Sequence, residues 1–340
     1  MKPLNVLVTA ASRRVALVRA FQDALAAEGH PGRVLATDVN PLSPAAHVAG
    51  EWFAVPMSAS PDYIDAILAI CREQCVGLVV PTIDDELVRF GQSLPRFDRA
   101  GVRVAVSPAL TSLLCNDKYQ TATALRSRGV AAARSYLPRE LPPDVPLPLF
   151  IKPRVGRGGV GAYPVRTRRE LDFFLEYVPD PVVQEFLDGP EFTIDMLCDF
   201  AGRPLAVVPR ERVVIRAGVI DRGRTVRDPA LIALALSIAR VLQFAGPVNI
   251  QCRVVDGRPV VFEINPRFSG GIALTIASGA DFPAMLLQLA RGRRVPPAIG
   301  AFRPDLWMSN YEEPIFLEPD QTGGYRRIEP RARLAVGEVA

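Results

Sequence analysis

One apolar segment in the last third of the chain carries polar side chains at alternate positions. They are Glu263, Asn265 and Arg267, within the sequence VVFEINPR. On a β-strand alternate side chains share a face, so we expect these three together and Phe262 and Ile264 packed on the other face. A carboxylate beside an amide oxygen suits Mg²⁺, and an arginine adds a cationic fork for a phosphoryl group. The alternative interpretation is an amphipathic edge strand with solvated polar residues.

A glycine-rich stretch follows a second apolar segment. Lys152 ends the run LFIK, and four glycines lie within the six residues 156–161. Glycine lets a backbone approach an anion closely, and successive amides can then cradle phosphate oxygens. Arg154 and Arg157 add positive charge to the loop. The Walker A pattern is absent, and a flexible hairpin is the alternative, but the flanking cations favour a phosphate site.

Composition excludes several classes of protein. The 340 residues are 49% hydrophobic and 22% charged, with a net charge of +4, five cysteines and two histidines. This small net charge does not predict a nucleic-acid partner. No apolar run approaches the roughly 20 residues that span a bilayer, and nothing resembles a signal peptide. We therefore expect a cytoplasmic protein without a membrane partner, whose chemistry uses carboxylates, lysines, arginines and backbone amides.

The first third alternates apolar strands with helical stripes, which predicts an α/β domain with a parallel sheet. Asp84, Asp85 and Glu86 follow its third predicted strand and open a helix. These acids either complement the helix terminus or bind a substrate amine at the carboxyl end of the sheet. The first turn lacks G-x-G-x-x-G, so a dehydrogenase is the least favoured function.

The order of motifs along the chain resembles the ATP-grasp superfamily. The motifs are Lys118, IKP at 151–153, the glycine loop, QEFL at 184–187, GPEFTID at 189–195, VNIQ at 248–251 and FEINPR at 262–267. In particular, the chain is similar to the carbamoyl-phosphate-synthetase-like branch, which includes the amino-acid ligase of pyrrolysine biosynthesis. Each motif is of modest specificity, but their shared order behind an α/β domain is a strong signal. The resemblance covers roughly residues 1–300.

The resemblance implies an N-terminal parallel-sheet, Rossmann-like domain followed by a two-lobed α+β ATP-grasp domain. The implied bounds are 1–112 for the first domain, 113–186 for the lobe with the glycine loop, 187–300 for the lobe with the metal and phosphate site, and 301–340 for a C-terminal extension. The last ten or so residues of that extension are expected to be disordered.

The resemblance also implies which residues bind ATP and metal. The nucleotide set is Lys118, Lys152, Gly156, Arg157, Gly158, Gly159, Gly161, Gln184, Glu185, Phe186, Leu187, Glu191 and Phe262. In it, two lysines contact phosphates, the 185–186 backbone binds adenine and Glu191 holds the ribose hydroxyls. The Mg²⁺ ligands are Gln251, Glu263 and Asn265, for two ions that Mn²⁺ can replace. Arg267 contacts the transferred phosphoryl group.

Two further regions are candidates for substrate binding. An arginine-dense segment spans 210–227. Arg210 and Arg212 are its preferred catalytic candidates, as cations over the active site that could hold an acyl phosphate or a second carboxylate, and Arg224 is a substrate candidate. The alternative is a solvated basic face. The turn Ser269-Gly270-Gly271 precedes a helix, and its amides could bind a carboxylate or the phosphoryl group.

These features predict an ATP-dependent carboxylate–amine ligase that works through an acyl phosphate and releases ADP. Its partners would be a small-molecule carboxylate and amine, with amino-acid-like substrates and a homodimer suggested by the resemblance. One alternative is an enzyme that phosphorylates bicarbonate, although a two-phosphorylation synthetase would need a second ATP-grasp unit. The other is a nucleotide-binding regulatory protein without turnover, which would be expected to lack a metal ligand or a phosphate lysine.

Overall fold

The computed structural model describes residues 4–29, 31–156, 158–320 and 324–329. Its first third forms a five-stranded parallel sheet in the order β3-β2-β1-β4-β5, with a helix after each of β1, β3 and β4. The elements are β1 (Asn5–Val8), α1 (Val15–Ala27), β2 (Val34–Asp38), β3 (Glu51–Ala54), α2 (Tyr63–Glu73), β4 (Val76–Val80), α3 (Asp84–Arg99), β5 (Arg103–Val104), α4 (Ala109–Asn116) and α5 (Lys118–Arg126).

The start of α5 differs from its predicted position. The sequence Asn116-Asp117-Lys118 predicts Asn116 as the N-cap. In the structure Asn116 ends α4, and Asp117 caps α5 by accepting the amides of Tyr119 and Gln120 at 3.0 Å each. Asp117 also accepts Arg154 Nη2 at 2.7 Å. The cap therefore ties the first turn of α5, which contains Lys118, to the segment that enters the glycine loop.

A four-stranded antiparallel sheet follows, in the order β6-β9-β7-β8. Its elements are β6 (Ser135–Tyr136), a 3₁₀ turn (Pro138–Glu140), β7 (Leu149–Pro153), β8 (Tyr163–Val165), α6 (Arg168–Tyr177) and β9 (Pro181–Glu185). The glycine-rich stretch joins β7 to β8, so it is the loop of a hairpin. Thr167 followed three residues later by Glu170 predicts a capping box at the start of α6. The structure confirms it, because Thr167 Oγ1 accepts the Glu170 amide and Glu170 accepts the Thr167 amide.

A six-stranded antiparallel sheet forms the next layer, in the order β14-β13-β10-β11-β12-β15. The remaining elements are β10 (Glu191–Cys198), β11 (Pro204–Arg216), β12 (Val219–Thr225), α7 (Pro229–Val241), β13 (Gly246–Val255), β14 (Arg258–Asn265), α8 (Ile272–Ala277), α9 (Phe282–Ala290), β15 (Trp307–Ser309), β16 (Phe316–Pro319) and β17 (Tyr325–Ile328). The last two strands pair only with each other among the described residues.

The first and last parts of the chain share a hydrophobic core. Phe21 of α1 meets Phe268 edge-on at a centroid distance of 6.1 Å, and Phe282 of α9 is fully buried in the same cluster. This core fixes the segment after β14 against the parallel sheet. It therefore brings the carboxyl ends of β1 and β4 close to Arg267.

The fold class is the predicted one: an α/β chain with an N-terminal parallel-sheet domain followed by a two-lobed α+β domain. The divisions at 112, 186 and 300 stay predictions, and β15, inside the predicted extension, pairs with β12. Residues 330–340, for which disorder was predicted, lie outside the described residues. No helix in the described part of the chain is long and apolar enough to span a membrane.

Candidate nucleotide and metal site

Strand register gathers most of the predicted polar residues on one face of the six-stranded sheet. Directly paired residues in neighbouring strands project to the same face. One paired row runs Glu263, Gln251, Thr193 and Arg210. The rows two residues away on either side hold Asn265, Asn249 and Asp195, and Arg253, Glu191 and Arg212.

A β-bulge changes the prediction for Phe262. Gln251 pairs with Glu263 while the next residue, Cys252, pairs with Val261, so Phe262 is an extra residue in β14. A bulge redirects side chains locally. Phe262 consequently lines the same cleft as Glu263 instead of packing on the opposite face, whereas Ile264 is buried in the core as predicted.

The polar face is one wall of a cleft of about 470 Å³ between the two lobes. The predicted residues that line it are Lys152, Gly158, Gly159, Gln184, Glu185, Phe186, Leu187, Glu191, Arg212, Gln251, Phe262 and Glu263. Segments from both lobes therefore enclose one volume, as an adenine nucleotide between a phosphate loop and a metal strand would require.

Lys152 is the buried cation of the cleft. Its side chain is largely enclosed, and its Nζ donates one hydrogen bond of 3.4 Å to the Phe262 carbonyl oxygen. Burial lowers the pKa of Lys152 to about 8, an effect that Glu263 opposes and Lys118 reinforces. None of the ion pairs between described residues includes Lys152. A buried ammonium without a carboxylate partner fits a site that receives an anion.

Lys118 contacts the glycine loop directly. Its Nζ donates to the Gly156 carbonyl oxygen at 2.7 Å and lies 3.9 Å from Glu263 Oε1. Both predicted phosphate lysines thus lie near the predicted metal strand. Gly161 has φ 70° in the same loop, while Arg157 lies outside the described residues.

Glu191 is held by two arginines. Its Oε1 accepts Arg212 Nη1 at 2.6 Å, and its Oε2 accepts Arg253 Nη2 at 2.7 Å. Each oxygen keeps a further lone pair for a hydroxyl donor. Arg212 also donates to the Gly218 carbonyl oxygen at 2.7 Å, at the turn between β11 and β12. This hairpin lies over the cleft, because Ile215, Ala217 and Gly218 line it.

The oxygen donors Gln251, Glu263 and Asn265 fit a hard cation in kind. Gln251 and Glu263 are directly paired across two strands, and Asn265 lies two residues further along β14, on the same face. Among the described residues there is no group of three or more His, Cys, Asp or Glu that could hold a metal ion. A site with one carboxylate and two amide oxygens suits Mg²⁺ that also binds phosphate oxygens.

Two of the predicted arginines, Arg210 and Arg224, are not among the residues that line the cleft. Arg210 is 1% exposed, donating to Asp195 at 2.8 Å and to Ser269 Oγ at 2.9 Å, so it supports the turn before α8. Arg224 pairs with Glu211, whose register places both residues on the opposite face. Both positions contradict the prediction that these arginines contact substrate.

The turn before α8 requires its glycines. A Cβ on Gly271 would lie 2.7 Å from Arg210 Nη1, and one on Gly270 would lie 2.8 Å from Val219 Cγ1. Ser269 is buried and engaged by Arg210. These contacts favour a packing role for the three residues over the predicted substrate contact.

The acids at the start of α3 have different environments. Glu86 is fully buried and accepts the Tyr63 hydroxyl and the Thr82 amide at 2.8 Å, which favours the helix-cap interpretation. Asp85 is exposed. Asp84 accepts Arg267 Nη2 at 2.8 Å, so the predicted phosphoryl arginine is paired with the parallel-sheet domain.

Several residues of the cleft were not predicted. They are Phe150, Ala162, Ile215, Ala217, Gly218 and Arg253. Arg253 could have been predicted from the sequence, because it lies two residues after Gln251 on the same strand and must share its face. The hairpin residues carried only a turn signal, Ala-Gly, which does not say what the turn covers.

Two family profiles match the chain. Residues 177–314 match a profile described as ATP-grasp in the biosynthetic pathway with Ter operon, and residues 6–105 match the PylC-like N-terminal domain. The carbamoyl phosphate synthase large chain of Deinococcus radiodurans is 29% identical over 168 residues, which are 42% of this chain and 15% of that protein. The chain spans less than a third of the length of the curated relatives that it matches.

Solved structures share the fold at low sequence identity. A biotin carboxylase complex from Campylobacter jejuni superposes with a TM-score of 0.70 at 14% identity, covering 89% of this chain and 74% of that one. An L-amino acid ligase from Bacillus licheniformis superposes with a TM-score of 0.67 at 18% identity, covering 89% and 78%.

Residues 177–314 therefore match an ATP-grasp profile, and the two-lobed fold with its cleft agrees with that class. Its N-terminal profile and its carbamoyl phosphate synthase relatives show that the chain is similar to the carbamoyl-phosphate-synthetase-like and PylC-like branch.

Proposed function

We propose that the protein is an ATP-dependent carboxylate–amine ligase acting on small, amino-acid-like molecules. In the proposed reaction a carboxylate takes the γ-phosphoryl group of ATP and ADP leaves. An amine then attacks the acyl carbon and displaces phosphate, which gives an amide. The observation that carries the proposal is the cleft in which the unpaired buried Lys152 lies close to the oxygen donors of β13 and β14.

The chain's own residues supply binding and charge. Lys118 and Lys152 would neutralise phosphate oxygens, the backbone of 185–187 would bind the adenine edge, and Glu191 would hold the ribose. Gln251, Glu263 and Asn265 would hold Mg²⁺, which stabilises charge on transferring phosphoryl groups. No described residue that lines the cleft is Ser, Thr, Cys or His. Catalysis would therefore rest on positioning and electrostatic stabilisation.

The test is a screen for ADP release from Mg²⁺ and ATP over paired carboxylates and amines, with amino acids first. We expect ADP formation that depends on a carboxylate and amide product that depends on both partners. Lys152→Ala is expected to weaken ATP binding. Release of AMP and pyrophosphate would contradict the proposal, as would ATP affinity unchanged in Lys152→Ala.

A second candidate differs only in the carboxylate. The carbamoyl phosphate synthase relatives favour bicarbonate as the phosphorylated group. Bicarbonate therefore belongs in the screen, with and without an amine. ADP release that requires bicarbonate and no organic carboxylate would favour this candidate.

A further inference from the structure

Arg267 is bound by an acid from the other domain. Arg267 follows β14, and its Nε and Nη2 reach Asp84 Oδ1 and Oδ2 at 3.0 and 2.8 Å. Asp84 begins α3 at the carboxyl end of β4, 183 positions away in sequence. Each side chain is only 13% exposed. The arginine that the proposed function aims at the reacting groups thus rests against an internal carboxylate.

A second arginine shares that carboxylate. Arg14 lies in the turn between β1 and α1, and its Nη2 donates to the Thr82 carbonyl oxygen at 3.2 Å. Burial and the neighbouring Arg267 lower the pKa of Arg14 to about 10, while Asp84 opposes them. No ion pair between described residues includes Arg14. Two guanidinium groups in a partly buried junction therefore have one carboxylate between them.

The backbone that presents Arg14 is strained. Ala10 and Ser12 have φ of 45° and 44°, a region that residues with a Cβ disfavour. Thr82 Oγ1 holds the turn by donating to the Thr9 and Ala10 carbonyl oxygens at 3.0 and 2.9 Å. Strain of this kind persists where surrounding contacts fix it, and it clusters at ligand sites.

We propose that Arg14 and Arg267 bind the carboxylate of the substrate at this junction, and that Asp84 is the resting counter-ion that the substrate carboxylate replaces. The proposal rests on the proposed function. It adds a subsite on the parallel-sheet domain that binds the anionic phosphoryl acceptor. The excess positive charge favours an incoming anion. Two guanidinium forks match the geometry of a carboxylate. Arg14 would then determine specificity for the carboxylate, and Asp84 would position Arg267.

The experiment measures binding of malonate, a small dicarboxylate, by calorimetry with saturating ADP and no metal. Asp84→Asn should bind malonate about tenfold more tightly than wild type, and Arg14→Gln about tenfold more weakly, with Arg14→Lys between, as expected for a gain or loss of one charge-assisted contact. The exposed neighbour Arg13→Gln is the matched control and should stay within about twofold. Melting temperatures establish that each variant is folded.

With an active substrate pair, Arg14→Lys should raise the KM for the carboxylate and leave kcat nearly unchanged. The subsite is overturned if Asp84→Asn binds malonate no better than wild type, or if Arg14→Gln binds malonate as well as wild type does. It is also overturned if neither wild type nor Asp84→Asn binds malonate. Failure of the proposed ligase function would look different, because ADP release would be absent while the malonate series still held.

Discussion

The ammonium nitrogen of Lys152 lies 3.4 Å from the carbonyl oxygen of Phe262 and 5.2 Å from the centroid of its ring. The bulge at Phe262 makes this contact, because it turns the ring toward the cleft. The ring face attracts a cation, but it does not replace a carboxylate or a phosphate. Lys152 is therefore held in place while its charge stays uncompensated.

Lys152→Met is predicted to stabilise the protein at neutral pH. The pKa of Lys152 is lowered from 10.5 to about 8. Below pH 8 the folded and unfolded chains both carry the charge, so the cost of burying it is fully present. Between pH 8 and 10.5 the folded chain loses the proton first, and wild type gains stability as the pH rises. The gain in the free energy of unfolding over this pH range is about 3 kcal/mol at most.

The measurement is urea unfolding of both proteins from pH 7 to 10.5. The difference in free energy of unfolding should be largest at pH 7 and shrink through this window. Comparing the two proteins cancels the contribution of the cysteines. Burial raises the pKa of Cys71 and Cys252 to about 12 in the folded chain, so their thiols ionise within this pH range only in the unfolded chain. A constant difference across the range would contradict the assigned pKa.

Elements set by local chemistry could be predicted from the sequence. The alternation of polar and apolar residues from Glu191 to Met196 predicts a strand over 191–198, and β10 has those bounds. The capping box of α6 is likewise a local pattern. β3 was missed because its four residues form a short edge strand without buried positions.

Features that depend on pairing partners could not be predicted. The bulge at Phe262 follows from the register with β13 and leaves no mark in the composition of β14. The face on which Arg224 lies depends on its partner Glu211. The pair of Asp84 with Arg267 joins two domains across 183 positions, so neither residue signals the other.

Glu263→Gln is predicted to remove the Mg²⁺ dependence of ADP binding. Glu263 is the single carboxylate among the three proposed ligands, and its loss should weaken Mg²⁺ at least about 100-fold. The affinity for Mg²⁺ is measured by calorimetric titration of Mg²⁺ into the protein with ADP present. Glu211→Gln is the matched control, since Glu211 is similarly exposed but faces away from the cleft. An equal effect of both variants would argue against the metal assignment.

Arg212→Gln is predicted to weaken ADP binding about tenfold, the effect of losing one charge-assisted contact. Arg212 joins Glu191 to the hairpin turn at Gly218, so glutamine would release both the proposed ribose acid and the covering hairpin. Arg216→Gln is the control on the same hairpin, because Arg216 is 65% exposed and its ion pairs are weak. The affinity for ADP is measured by titration of wild type, Arg212→Gln and Arg216→Gln. Equal affinities would show that Arg212 does not organise the nucleotide site.

Gly218→Ala is predicted to disturb nucleotide binding, whereas Gly257→Ala is not. Both glycines occupy hairpin turns with nearly equal φ, 74° and 75°, so each substitution should cost about 1–2 kcal/mol of backbone strain. A Cβ on Gly218 would lie 2.8 Å from the Gly158 carbonyl carbon, while one on Gly257 meets nothing within 4 Å. The added methyl would push the hairpin away from the glycine loop and open the cleft.

Thermal unfolding should show similar losses of stability for both variants, and only Gly218→Ala should lower the affinity for ADP. Equal ADP affinities in two equally destabilised variants would mean that contact between the hairpin and the glycine loop does not shape the nucleotide site.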